Sequence, residues 1–349
     1  MSKKAKIIRL VASVVGALMS LLLLALWAAS VKARERLDKH FDAHRIELAV
    51  PTPLSTEELA ALRTARSGAE AAPDSSAQAR GAPDDPLAAL DLAALAQARA
   101  VARGKHLVEA RYACGACHGD NFAGGVMLDQ FPIGTIRGPN LTRGRGGLPA
   151  DYSIADWDRI VRHGIKRDGS AALMPSEDFF AMTDQELSDV VAFMRAQPPV
   201  DAVVDAPSLG PVGSVLVALG KFPVSAERVA DHRRAHAQRA PTAANTPEFG
   251  AHLAATCSGC HRENLAGGPM LFGPPEWPKA ANLTRHADGL ASWTYEDFDK
   301  ALTRGINKQG KPLRQPMTHV LSGTRAMTEV ERKAIWTYLT TVKPQPTNI

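Results

Sequence analysis

Two kinds of hydrophobic pattern stand out along the 349-residue chain, one continuous and one periodic. The continuous one runs from Leu10 to Val31, 22 residues without a charge, behind Lys3, Lys4, Lys6 and Arg9. As a helix it spans about 33 Å at 1.5 Å per residue, enough to cross a bilayer core. It exceeds the roughly 7–15 residues of a secretory apolar region and reads as a retained anchor, with a cleavage site at Ala28 and Ser30 as the alternative. The periodic pattern comes twice. Ile154, Trp157, Ile160 and Val161 fall on one face of a helix beginning at Ser153, and Tyr295, Phe298, Ala301 and Leu302 repeat that face from Thr294. Ser153 with Asp156, and Thr294 with Asp297, read as N-terminal caps. Thr183 with Glu186, and Thr328 with Glu331, read as capping boxes opening a further helix in each half. Another helix is predicted from about Arg103 into Cys114.

These elements sit in two blocks that repeat each other. GKHL at 104–107 answers GAHL at 250–253, and CGACHGDNFAGGVML at 114–128 answers CSGCHRENLAGGPML at 257–271. Asn140-Leu141-Thr142 answers Asn282-Leu283-Thr284, Gly164-Ile165 answers Gly305-Ile306, and Met182-Thr183 answers Met327-Thr328. The offsets, between 141 and 146, indicate a duplicated domain of about 100 residues. The predicted organisation is an anchor over 1–36, a flexible Ala/Pro-rich spacer over 37–100 with a short helix at 86–99, a first domain over 101–200, a linker over 201–246 with a short apolar helix at 208–217, and a second domain over 247–343. The spacer composition buries too little to offset the entropy of ordering it, so it is expected to hold the domains away from the membrane.

Charge and composition sharpen this picture. The formal charge of +5 is concentrated in residues 1–36, where seven Lys/Arg face one Glu, and the rest is nearly neutral. No Arg/Lys-rich surface with interleaved aromatics is visible, which excludes nucleic acid as a partner. Aromatic residues make up only 5% of the chain, so three short helices per block make a thin core that needs something large at its centre.

The four cysteines identify it. All lie in two C-x-x-C-H motifs, Cys114-Cys117-His118 and Cys257-Cys260-His261. This is the c-type haem attachment spacing: two thiols one helical turn apart reach the two vinyl groups, and the adjacent imidazole points at the iron. Zinc would need further ligands at each site, and no other cysteine exists to supply them. Two covalently bound haem c groups are therefore expected, with the globular part outside the cytoplasmic membrane, where such attachment takes place.

Both blocks resemble class I cytochrome c domains, and the whole resembles a membrane-anchored dihaem cytochrome c, like the cytochrome c subunits of bacterial periplasmic alcohol and aldehyde dehydrogenases. The likeness rests on C-x-x-C-H, then GG, PNLT, R-x-G-I, M-P and F-x-x-M-T-D, then a short helix ending at Pro198-Pro199-Val200. It implies an all-α fold of two tandem cytochrome c domains behind an N-terminal transmembrane helix and a spacer. It also implies a bacterial inner-membrane, single-pass protein with its domains in the periplasm.

Three methionine pairs survive the duplication. Met182 and Met327 precede N-cap threonines, where packing explains them, and Met127 and Met270 follow their motif histidines by only nine residues. Met174 and Met317 each follow theirs by 56 residues, beside Pro175 and Pro316, and the resemblance places the sixth iron ligand there. The expected axial pairs are His118 with Met174 and His261 with Met317. His319 is the competing ligand, His106 and His252 read as packing residues between helices, and His40, His44, His232 and His236 read as solvated. The resemblance also implies that a carbonyl at Pro139 takes a hydrogen bond from the proximal histidine; the second block has Ala281 there.

His/Met ligation leaves no open iron position, so the expected role is a tethered single-electron carrier, not an enzyme, between a periplasmic dehydrogenase or respiratory-chain donor and a terminal acceptor. The rivals are a haem enzyme, such as a dihaem peroxidase or thiosulfate dehydrogenase, and a docking subunit of a dehydrogenase complex. Lys300, Arg304, Lys308, Lys311 and Arg314 read as a solvated face or as a docking patch for an acidic partner.

Overall fold

The structure, a computed structural model, describes residues 3–70, 87–88, 90–270 and 277–349. Helix α1, Lys3–Leu37, is long and apolar enough to cross a membrane, and its side chains from Ile7 to Trp27 are exposed apart from Leu26, which is partly covered. Its lower end is docked. Ala33 is buried with Val217, Phe222 and Val224, and Arg36 pairs with Glu227 and donates to the Val217 carbonyl. The spacer expectation is corrected here. Residues 38–55 lie along the first domain: Phe41 N–H donates to the Gly169 carbonyl (3.0 Å), Ile46 and Val50 pack on the first core, and Ser188 Oγ donates to the Ala49 carbonyl (2.8 Å). These apolar residues are too few and too irregularly spaced to register as a helix or strand, yet each finds a site on the domain surface. Helix α2, Thr56–Glu70, then starts from a reciprocal cap between Ser55 and Glu58. The Ala/Pro-rich run 71–86, with Pro86 at the start of the predicted short helix, lies outside the described residues.

Helix α3, Leu92–His106, continues through a π-type turn, Leu107–Arg111, into the short α4, Gly115–His118. Strands β1, Gly125–Gln130, and β2, Gly134–Gly138, form an antiparallel hairpin, followed by α5, Ile154–His163, and α6, Asp184–Arg195. The linker adds strand β3, Ser208–Leu209, antiparallel to β2, and helices α7, Pro211–Ala218, and α8, Ser225–Arg228. The all-α expectation thus needs correcting: the fold is mainly helical, with a three-stranded sheet β1-β2-β3 beside the first motif. The hairpin escaped notice because its strands are glycine-bounded and half-exposed, without a clean alternation.

The second domain comprises α9, Pro247–Ala254; α10, Ser258–His261; α11, Tyr295–Arg304; α12, Leu321–Ala326; and α13, Glu329–Thr341. All four predicted caps form as reciprocal capping boxes, at Ser153, Thr183, Thr294 and Thr328. The repeated glycine of GKHL and GAHL has a steric reason. A Cβ on Gly104 would come within 2.0 Å of the Asp189 carbonyl oxygen, and one on Gly250 within 1.9 Å of that of Ala334, so α3 and α6, like α9 and α13, cross at backbone distance. The repeated Asn-Leu-Thr fastens the chain leaving the last helix of each domain. Asn140 Nδ2 donates to the Val200 carbonyl (2.8 Å), and Asn282 Nδ2 to that of Gln345 (2.8 Å).

The two domains meet across a buried ionic network with approximate two-fold character. His106 of the first domain bonds Glu331 of the second (2.9 Å), and His252 of the second bonds Glu186 of the first (2.8 Å). Both glutamates are capping-box residues, and Arg111 stands between them, paired with Glu186 and 3.4 Å from Glu331. Burial would raise the Glu186 carboxyl, but hydrogen bonding from His252, the Arg111 charge and the Thr183 cap hold it at about 2. A carboxylate depressed from its ordinary 4.5 stabilises the fold above that value and loses the contribution as pH falls through about 2. Arg111→Ala leaves two buried carboxylates without their shared cation and is expected to lower stability by about 3–5 kcal/mol in denaturant unfolding at neutral pH. The difference from wild type should shrink as pH falls from 4.5 toward 2; a loss below about 1 kcal/mol, or one independent of pH, contradicts this reading of the interface.

Candidate functional site

The first C-x-x-C-H motif is built on α4, immediately after the turn that ends α3. His118 is buried, and its Nδ1–H donates to the Pro139 carbonyl at 2.9 Å, since a carbonyl can only accept. That bond fixes the tautomer and leaves the Nε2 lone pair free as a ligand. Burial holds the imidazole below its ordinary value against the opposing carbonyl bond, so the ring is neutral at pH 7. Burial and the neighbouring Cys117 push the Cys114 thiol up to about 12. The β-hairpin passes close behind the motif: a Cβ on Gly138 would lie 2.2 Å from the Cys117 carbonyl oxygen and 3.0 Å from His118 Nδ1.

Cys114, Cys117 and His118 open onto an apolar cavity of about 320 Å³. Met174 is in its wall, as are Met127, Tyr152, Trp157 and Phe179. The Met174 loop is pinned by the linker. Ser225, on α8, donates through Oγ to the Met174 carbonyl, while Ser176 N–H donates to Ser225 Oγ (3.2 Å) and Ser176 Oγ to the Ile160 carbonyl (2.7 Å). Arg137 and Lys166 are the cationic residues of the lining, and Arg137 Nε is buried without a hydrogen-bond partner. A large apolar cofactor with acidic substituents fits this donor set: thiols and an imidazole at the wall, an apolar interior, and an unpaired cationic N–H.

The second motif repeats the arrangement. His261 Nδ1–H donates to the Ala281 carbonyl at 2.7 Å, so the backbone bond persists without the proline. Burial holds the His261 imidazole below its ordinary value and pushes the Cys257 thiol up to about 11, with Cys260 adding to the latter. Met317 packs against the core cluster that includes Leu290, Phe298 and Met327, as does Cys257. His319 is exposed, with its ring 6.3 Å from that of Trp277. Met182 and Met327 are buried in the two cores.

The loop that follows Met174 touches the second motif. The turn Ser176–Asp178, just after Met174, packs on α10 and on the turn Ala255–Cys257 of the second domain. Asp178 Oδ1 is buried there without a hydrogen-bond partner, and burial together with the Glu177 charge pushes its carboxyl up to about 7. Sequence reasoning missed Asp178 and Ser225, because neither has a counterpart in the repeat. It also misplaced His44, His232 and His236. These are not solvated but are gathered around the buried His163.

Comparison with known proteins agrees with this geometry. Residues 99–194 match the family model described as cytochrome c oxidase, cbb3-type, subunit III, and residues 248–343 match the model for cytochrome c. The chain is 36% identical over 125 residues to the gluconate 2-dehydrogenase cytochrome c subunit of Pantoea cypripedii, covering 33% of this chain and 28% of that one. It is 26% identical over 266 residues to the fructose dehydrogenase cytochrome subunit of Gluconobacter japonicus, covering 69% and 52%. The alcohol dehydrogenase (quinone) cytochrome c subunit of Gluconacetobacter polyoxogenes is 38% identical over 94 residues, covering 25% and 20%. The chain thus spans about half or less of the length of these relatives. With one backbone-fixed histidine and one thiol pair in each matched stretch, the chain carries two cytochrome c-type domains, each with the residues for one covalently bound haem c.

Proposed function

We propose that this protein is a membrane-tethered carrier that passes single electrons from a periplasmic dehydrogenase to a downstream acceptor, using its two domains as consecutive steps. The observation that carries the reading is the contact between them: the loop after Met174 in the first domain lies directly on the second C-x-x-C-H motif. Cys114 and Cys117 would hold one haem and Cys257 and Cys260 the other through thioether bonds, with His118 and Met174 holding the iron of the first and His261 and Met317 that of the second. A haem held by these residues would supply one-electron redox chemistry. The chain's own part is to hold the ligands still. The Pro139 and Ala281 carbonyls orient the imidazoles, Ser225 and Ser176 fix the Met174 loop, and the apolar walls exclude water. Arg137, with its free buried N–H, would receive an acidic substituent of the first haem.

The length and apolarity of α1 support single-pass anchoring in a bacterial inner membrane, with both domains on the periplasmic side. Because Ala33 and Arg36 fasten α1 to the linker helices α7 and α8, whose apolar cluster also takes in Ile136, Ile165 and Ala171 of the first domain, that domain would sit at the membrane surface. The names of the relatives, cytochrome subunits of gluconate, fructose and alcohol dehydrogenases, support a dehydrogenase as the electron donor.

Three measurements check this. Met174→Ala and Met317→Ala should each abolish about half of the near-infrared sulfur-to-iron charge-transfer band and lower one potential while sparing the other; a spectrum unchanged in either variant removes that methionine as a ligand. Gly138→Ala, whose Cβ would meet the Cys117 backbone, should cut covalent haem in the first domain several-fold and leave the second loaded; full occupancy of both would show that the close approach is unnecessary. Replacing exposed Lys300, Lys311 and Arg314 by Gln should slow reduction by an acidic partner at low salt, with the difference vanishing at high salt. An unchanged rate and salt slope would exclude this face from docking.

A further inference from the structure

Away from both motifs, four histidines from three separate segments converge on the C-terminal end of α5. His44 comes from the segment after α1, His163 from the last turn of α5, and His232 and His236 from the linker. The His163 ring centroid lies 5.7 Å from that of His44 and 5.3 Å from those of His232 and His236. His163 is fully buried, as is Asp158 one turn earlier on α5.

Hydrogen bonding assigns the protons in this cluster. His232 Nε2 is 2.9 Å from the Ala226 carbonyl and must donate to it, which leaves Nδ1 as an acceptor. His163 Nδ1, 3.2 Å away, therefore carries the proton it donates to His232, and His163 Nε2 is left with a lone pair. That lone pair faces His236 Nε2 at 3.4 Å and Asp158 Oδ1 at 3.8 Å. The two Nε2 atoms thus face each other at a spacing that a shared cation can bridge. Asp158 Oδ2 is also buried without a hydrogen-bond partner.

We propose that Asp158, His163 and His236 form a site for a divalent first-row cation of the zinc class, which fastens the linker onto the first domain. One ligand atom from each of the three lies within 4.8 Å of the others. Zinc–nitrogen bonds of about 2.0–2.1 Å in tetrahedral geometry put ligand nitrogens about 3.3–3.4 Å apart, the spacing between His163 and His236. Two neutral imidazoles and a carboxylate suit a borderline cation better than calcium or magnesium, which take oxygen ligands. His232 acts one step out, fixing the His163 tautomer as outer partners of metal-bound histidines do. Charge is tolerable as well: Arg162 is balanced by Asp158 and by Asp184, 2.9 Å from its Nη1, and His44 completes the wall. Since Ala237 and Gln238 accept backbone bonds from the start of α6, the cation would lock a linker already laid in place there.

The test uses the full-length haem-loaded protein, stripped with a chelator and titrated with Zn²⁺, with iron and zinc counted by elemental analysis. Wild type should take up one zinc per chain beside its haem iron. His236→Ala should weaken uptake by at least about 100-fold, more than loss of an outer partner does, and His236→Cys should restore it. Zinc should also slow tryptic cleavage after the exposed Arg233 and Arg234 in wild type but not in His236→Ala. Absence of stoichiometric zinc in wild type, or equal affinity in wild type and His236→Ala, would overturn the proposal; so would equal loss on replacing the distant His319, which would mark uptake as surface binding. Haem absorption, unchanged in these variants, keeps the test separate from the electron-carrier reading.

Discussion

Each domain depends on one hydrogen bond: a backbone carbonyl, of Pro139 or Ala281, accepting the Nδ1–H of the motif histidine. It commits the ring to one tautomer and one direction, with Nε2 free to bind iron. The neighbouring structure serves this placement. Gly138 brings β2 up against the Cys117 carbonyl, and the Asn-Leu-Thr segment just after the carbonyl is tied to the chain beyond the last helix. Gly104 and Gly250 let the flanking helices cross closely enough for small domains with few aromatic residues to hold together.

The second constraint is electrostatic and joins the domains. Glu186 and Glu331 serve twice, closing the N-terminus of their own helices and accepting bonds from the other domain's histidine. A buried carboxylate needs partners, and here the same carboxylates secure both local helix starts and the domain pairing. The pairing sets the Ser176–Asp178 turn, just after Met174, on the second motif, so the contact that joins the domains also brings the wall of the first site against the second.

Much of this was legible in the sequence. Motif chemistry reads directly from C-x-x-C-H, because covalent attachment demands that spacing. The capping boxes read from Thr183-Glu186 and Thr328-Glu331, because both partners lie in one turn. The repeat marked Gly104, Gly250, Asn140 and Asn282 before their roles were visible. What escaped was long-range or aperiodic. The β1-β2-β3 sheet takes its third strand from the linker. Residues 38–55 hold to the first domain through scattered contacts by Phe41, Ile46 and Val50. His106 and His252 were read as packing within a domain, but they reach across to the other one, and the His163 cluster draws on segments as far apart as residues 44 and 236. No local periodicity encodes such meetings.

The central claim is that the chain holds two saturated haem sites working as one-electron relays. A spectroelectrochemical titration of the intact protein, calibrated by covalently bound iron per chain, tests it most directly. Two covalently bound, low-spin haems that titrate in two separate one-electron steps are expected. A single haem per chain, or a high-spin haem that binds peroxide or another exogenous ligand in either redox state, would contradict it.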